Sequence, residues 1–313
     1  MNSQANAAAE GNERESANSA MATTLVRITH PFYWSVRREL WEHRSLYLAP
    51  FGIAGAVVLG FLVALARLPQ TMRTLSLLGP AAQRGALAQP YDVAAGMIMG
   101  AAFIVSIFYS ADALYGERRD RSILFWKSLP VSDLTTVLAK ASIPLVVLPI
   151  LAFATTVATQ AIMLLLSAMV LLAHGLSVAT LWTQLQLPTI LLMLLYHLVT
   201  AHMLWYAPFY AWLLLISAWA RRAPFLWAVL PPLAIGIFEK IAFHSANFAS
   251  LLNDRFSGSS DAASSMMGDM PFHPGMRLDP VAFLTAPGLW LGLVFAALFL
   301  VTAARVRRYR EPS

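Results

Sequence analysis

Long apolar runs, each interrupted by a short polar or charged stretch, repeat along this chain from residue 46 almost to its end. A membrane-spanning helix needs about 20 mostly apolar residues. Six segments meet that requirement: 46–66, 93–113, 143–173, 185–219, 224–242 and 287–304. The pattern predicts an all-α polytopic membrane protein with six transmembrane helices and no separate soluble core. The third and fourth runs exceed one perpendicular crossing, so they have to tilt, kink or project, and Pro144, Pro149, Pro188 and Pro208 offer places to bend. Segments 67–92 and 174–184 are expected as outer loops. Residues 243–286 make a much longer one, with a Ser/Gly/Asp-rich centre and a short helix expected through Phe248, Leu251 and Leu252.

Ahead of the first run lies "HPFYWSVRRELWEHRSLYL". At about 100° per residue, Phe32, Tyr33, Val36 and Leu40 gather on one arc, Ser35, Arg38, Glu39 and Glu42 lie opposite, and Trp34 and Trp41 share a flank. Two readings fit. One is an amphipathic N-terminal surface helix on the membrane, with Trp34, Arg37, Arg38 and Trp41 near the head groups. The other is an extension of the first span into the cytosol. The first 20 residues are polar and lack the basic and apolar regions of a secretory signal, and a disordered cytosolic tail is expected over 1–29.

Composition sharpens the class. Hydrophobic residues make up 58% and charged residues 12%, against roughly 25% charged in soluble domains. The formal charge is +6. Sidedness accounts for it: with a cytosolic N-terminus, 16 of the 22 Lys and Arg fall on the inner side. That asymmetry places both termini in the cytosol and makes 306–313 a basic cytosolic tail, without invoking nucleic acid. The chain has no cysteine, which excludes disulfides and thiolate sites. It also has no "GxxxxGK[ST]" and hence no P-loop, so ATP hydrolysis and other enzyme activity are not expected of this chain.

The remaining polar positions inside the runs carry weaker signals. His197 and His202 are five apart, about 140° around a regular helix, with no accompanying HExxH or carboxylate, which favours inter-helix hydrogen bonding over a metal site. Charge near the membrane midplane is scarce, which disfavours an ion-coupled carrier. Asp112, with Ser106, Ser110 and Glu117, either lines a cytosolic entrance or marks a solvated helix end. Glu239 either joins an outer gate or snorkels with Lys240. The aromatic run Trp205, Tyr206, Phe209, Tyr210 and Trp212 either meets an apolar substrate or packs helices, which makes Tyr206 and Tyr210 candidate pathway residues.

The most informative segment is "GERRDRSILFWKSLPVSDLTTVLAK" between the second and third runs. The second helix has no strong breaker before Gly116, so it is expected to project into the cytosol. Leu124, Phe125, Trp126 and Leu129 form an apolar knob, Pro130 ends it, and Ser132 or Asp133 caps the next helix. Aromatic anchors inside a charged rim suit a protein partner; a basic loop resting its aromatics on head groups is the alternative.

With its surface helix and six spans, this segment resembles the permease subunits of ABC-2 type transporters, whose corresponding loop reads Glu-Arg, a Leu/Phe pair, Ser-Leu-Pro-Val-Ser and a Lys near the third span. Here those positions are Glu117, Arg118, Leu124, Phe125, Ser128, Leu129, Pro130, Val131, Ser132 and Lys140, while Ser122 and Ile123 replace the Gly-Thr of many members. The resemblance covers about 30–305. It implies an exporter whose cytosolic ATPase subunit, the holder of ATP and Mg, docks on Glu117, Arg118, Arg119, Leu124, Phe125, Trp126, Leu129 and Pro130. It further implies a second permease copy or paralogue, and short re-entrant helices before the last span. A non-transporting membrane anchor or signalling subunit using the same loop remains open.

Overall fold

The computed structural model describes residues 31–75, 79–120, 122, 131–179, 181, 185, 187–257 and 280–309. Every regular element among them is a helix: α1 (31–42), α2 (Ser45–Leu65), α3 (Leu68–Leu75), α4 (Pro80–Arg119) and α5 (Asp133–Ala173). The chain continues through α6 (Leu187–His197), α7 (Ala207–Trp219), α8 (Pro224–Phe243), α9 (Asn247–Ser257), α10 (Pro280–Thr285) and α11 (Pro287–Tyr309). Six helical stretches are long and apolar enough to cross a bilayer, and each predicted run contributes one.

α4 is the hub, packing against α2, α5, α7 and α8. α11 lies along α7 from Leu289 beside Trp205 and Tyr206 to Ala303 beside Ala218. Small residues make these approaches close. Ala54, Ala95, Ala102 and Ala152 sit where α2, α4 and α5 meet, and Ala207, Ala211 and Ala296 separate α7 from α11. Bulky side chains such as Leu59, Val63, Phe108, Leu165 and Phe238 point outward instead. Large apolar groups outside and small ones at the contacts are what a bilayer solvent selects, since lipid offers apolar side chains no reason to hide.

One expectation needs correction. The outer loop expected over 67–92 is mostly helix. Pro80 starts α4 from an extended Gly79, its missing N–H falling in the first turn where no intrahelical partner is needed, and the polar residues up to Asp92 are all compatible with a helix. In the long third and fourth runs the helix is interrupted near the expected prolines by a specific device. In α5 a wide π-helical turn at Ile143–Val147 takes in Pro144, and a second at Leu198–Trp205 joins α6 to α7 just ahead of Pro208. Proline removes an N–H and crowds the carbonyl four residues back, and a wider turn relieves that crowding.

Element ends follow local chemistry. Ser132 is the N-cap of α5, accepting from Thr135 N at 3.1 Å, as the loop sequence predicts. The far end of α5 closes on Gly175 (φ 68°), with Gly175 N donating to Leu172 O at 3.0 Å and Leu176 N to Leu171 O at 2.9 Å. This Schellman arrangement needs the left-handed residue that glycine supplies without strain. The expected short helix through Phe248 is α9.

Candidate functional site

At one end of the bundle, charged side chains from four elements meet away from solvent. Glu39 of α1 is 1% exposed, as is Lys140 of α5. Glu117 near the end of α4 and Arg307 near the end of α11 are also buried. Lys140 Nζ lies 2.8 Å from Glu39 Oε1 and 3.2 Å from Glu117 Oε1. Arg38 Nη2 bridges the same two carboxylates at 2.7 and 3.0 Å. Arg307 donates from Nη1 to the other Glu117 oxygen and from Nε to Asp133 at 3.0 Å. Tyr109 OH donates to Glu39 Oε2 at 2.7 Å.

Three carboxylates thus face three cations. Moving such charges out of water costs several kcal/mol per ion, so the cluster is poor evidence of stability for its own sake. Its pairings tie α1, α4, α5 and α11 to one another through shared buried partners. Burial alone would raise the Glu39 pKa, but the Lys140 ammonium, then Arg38 and the Tyr109 hydroxyl, outweigh it and hold the carboxyl at about 2. Glu39, Glu42 and His43 come within ligand reach of one another. Both Glu39 oxygens are already engaged by cations and Tyr109, so Glu39 serves the ion cluster.

The cluster corrects the reading of α1. Its supposed outward polar arc contains Glu39, which is the most buried residue of the helix, while Val36 and Leu40 pack beside it against the core. The face turned away from the bundle is Trp34, Arg37 and Trp41, with the Arg37 guanidinium 5.1 and 5.0 Å from the two indole rings and both tryptophans more than half exposed. Arg38, expected at the head groups, turns inward to the cluster.

Residues expected to form the charged rim of the docking loop also divide. Glu117 belongs to the buried cluster. Arg118 is buried too, donating to Ser217 O and Ala220 O at 2.6 and 2.7 Å, so it clamps the carbonyl end of α7. Arg119 is exposed and pairs with Asp120. Leu124, Phe125, Trp126, Leu129 and Pro130 lie outside the described residues.

Of the candidate pathway residues, Tyr206 and Tyr210 are buried in an aromatic group centred on Phe103, whose ring is 4.9 Å from Tyr206 and 6.2 Å from Tyr210. Asp112 is half-exposed on α4, 4.0 Å from Arg119. Glu239 accepts from Asn247 N and Phe248 N, both at 2.8 Å, and therefore caps the start of α9. Its geometry is that of a joint between α8 and the long connection.

Two features escape spacing arguments. The wide turn at Leu198–Trp205 changes the angular step, so His197 and His202 do not diverge as a regular helix requires; their rings stand 5.6 Å apart. Arg255 of α9 lies over the Trp205 ring at 4.1 Å and donates to Gly288 O at 2.9 Å, in space left open by the absent side chain of Gly292. Burial pulls its pKa down to about 10.

Comparisons with protein-family models, with curated proteins and with solved structures each found no match. The functional reading therefore stands on residues and geometry.

Proposed function

We propose that this multi-pass membrane protein is the membrane-spanning permease subunit of an ATP-binding cassette transporter of the inner membrane, an exporter driven by a separate ATPase subunit that docks between α4 and α5. The buried cluster of Glu39, Lys140, Glu117 and Arg307 carries this reading. It ties the surface helix, both helices flanking the docking loop and the last span into one stiff unit at the end where a push from a partner would arrive. Force applied to residues 117–130 then reaches three spanning helices at once instead of bending a loop, and rigid bodies of this kind are what alternating access moves.

Further support comes from the far side of α11. That helix starts level with Trp205, midway along the α6–α7 rod, and α9 and α10 fill the space over its start through Arg255 and Phe283. Short helices descending towards the middle of a bundle agree with the re-entrant segment that the resemblance implies. The lack of a P-loop in this chain makes the ATPase partner necessary. The second reading, a non-transporting anchor, uses the same cluster to present the loop.

The test is a comparison of wild type with a Phe125→Ala/Trp126→Ala variant, each purified from its native membrane in mild detergent. Loss of most co-purifying ATPase activity, at roughly tenfold or more for two interface aromatics, is expected with helical content unchanged. Equal activity with both chains removes the loop from the docking site.

A further inference from the structure

Beside the ion cluster, at the same end of the bundle, the turn joining α7 to α8 forms a second cationic feature that faces outward. Residues 220–223 make this turn, and Ala223 adopts a left-handed conformation (φ 46°) that side-chain-bearing residues rarely take. The turn is nevertheless pinned from several directions. Arg118 holds Ser217 O and Ala220 O, Ser217 Oγ accepts from Leu114 N and Tyr115 N at 3.0 and 2.9 Å, and Trp212 Nε1 donates to Ala228 O at 3.0 Å. A cleft of about 240 Å³ lies between it and α4, lined by Tyr115, Arg118, Arg119, Ala220, Arg221 and Arg222.

Four arginines line this cleft; Arg118 is committed to the Ser217 and Ala220 carbonyls, and among the described residues Asp120 and, at 4.0 Å, Asp112 pair with Arg119. Arg221 and Arg222 are exposed. Arginine's planar fork suits phosphate oxygens better than any other side chain, so the chemistry of the cleft is that of a phosphate-bearing anion. The surface below it selects the source. Seven residues back along α4, about 10 Å by helical rise, Phe108 stacks on Phe225 of α8 at 6.4 Å, and both rings are more than half exposed. Trp219 and Trp227 form a separate edge-to-face pair at 5.0 Å where α7 meets α8. Tyr115 lies between this aromatic ridge and the arginines, two turns above Phe108.

From this juxtaposition we infer that the cleft binds the headgroup of an anionic phospholipid, with Arg221 and Arg222 on the phosphate and an acyl chain against Phe108 and Phe225. The inference requires a spanning bundle and is independent of the transport reading. On a bundle that spans a bilayer, a cationic cleft beside an exposed aromatic surface offers separate contacts to the headgroup and the chain of a lipid, whereas a soluble phosphate would make no use of the ridge.

The experiment is native mass spectrometry of the full chain in detergent, titrated with phosphatidylglycerol or with phosphatidylcholine of the same acyl composition. Wild type is expected to retain phosphatidylglycerol in preference. An Arg221→Gln/Arg222→Gln variant is expected to lose that preference by roughly tenfold, while Arg305→Gln, an exposed arginine at the same end outside the cleft, keeps it. Thermal unfolding of each variant without added lipid separates loss of binding from loss of fold, and Phe108→Ser, which leaves every arginine in place, is expected to weaken lipid retention as well. Equal binding of the two lipids by wild type, or retention undiminished in the double-arginine variant, overturns the site. Displacement of the lipid by millimolar pyrophosphate, with Phe108→Ser having no effect, overturns the lipid assignment in favour of a soluble phosphate compound.

Discussion

At the scale of single residues, the chain concentrates its electrostatic commitments where sequence offers least warning. Glu39, Glu117, Lys140 and Arg307 are far apart in the chain, and each looks like an ordinary charge flanking a span. Their pairing depends on the angular phase of four helices, which periodicity within one helix does not report. Removing a single partner strands the others in a buried site, at a cost of about 3–5 kcal/mol for Lys140→Met. Glu39→Gln combined with Lys140→Met is expected to cost less than the sum of the two single changes, with a coupling of more than about 1 kcal/mol in thermal unfolding of the detergent-solubilised protein. Strict additivity would mean that the pair is not formed in solution.

The same residue sets a pH dependence. Glu39 has a folded pKa of about 2, below the ordinary carboxylate value of roughly 4.3. A depressed folded pKa means that the ionised form favours folding, so its contribution is complete above the ordinary value and is lost as pH falls through the folded one. Docking of α1, followed by protease access at Arg37, is therefore expected to weaken between about pH 4.3 and pH 2. In Glu39→Gln this dependence should be flattened; an identical profile in the variant would assign the transition to another carboxylate.

At the scale of elements, six spans were legible because bilayer thickness imposes a length that apolar runs have to match. The outer extension of α4 was not, because polar helix and polar loop have similar compositions once the bilayer no longer dictates which residues appear. The wide turns were half legible: Pro144 and Pro208 marked the places but not the device. That mattered for the histidines, whose five-residue spacing means one thing on a regular helix and another across a π-helical turn. It matters also for the cluster, since the turn at Ile143–Val147 sets the phase of Lys140 against the membrane half of α5. Pro144→Leu keeps the residue count but removes the crowding that favours the wide turn; a regular helix over the same five residues turns about 90° further and carries Asp133–Ser142 out of phase with the membrane half of α5. Loss of thermal stability comparable to that of Lys140→Met is the expected result, and wild-type stability would show that the turn does not position the cluster.

At the scale of the molecule, charge sorts to one end in two forms with different uses. The buried cluster joins α1, α4, α5 and α11 into a unit beside the predicted docking segment, while the outward arginines and the Trp34–Arg37–Trp41 face address what surrounds the bundle. The sequence motif was sufficient to suggest a partner, but not to show that Glu117 and Arg118, read there as part of a charged rim, are buried within the chain. The central claim is that this chain transmits work done by another protein. Native mass spectrometry of the complex purified in mild detergent from its own membrane tests it most directly. Two copies of the chain, or one with a paralogue, bound to two copies of a P-loop ATPase is the expected composition. The chain alone, or with a partner that has no nucleotide-binding motif, would contradict the transporter reading and favour the membrane anchor.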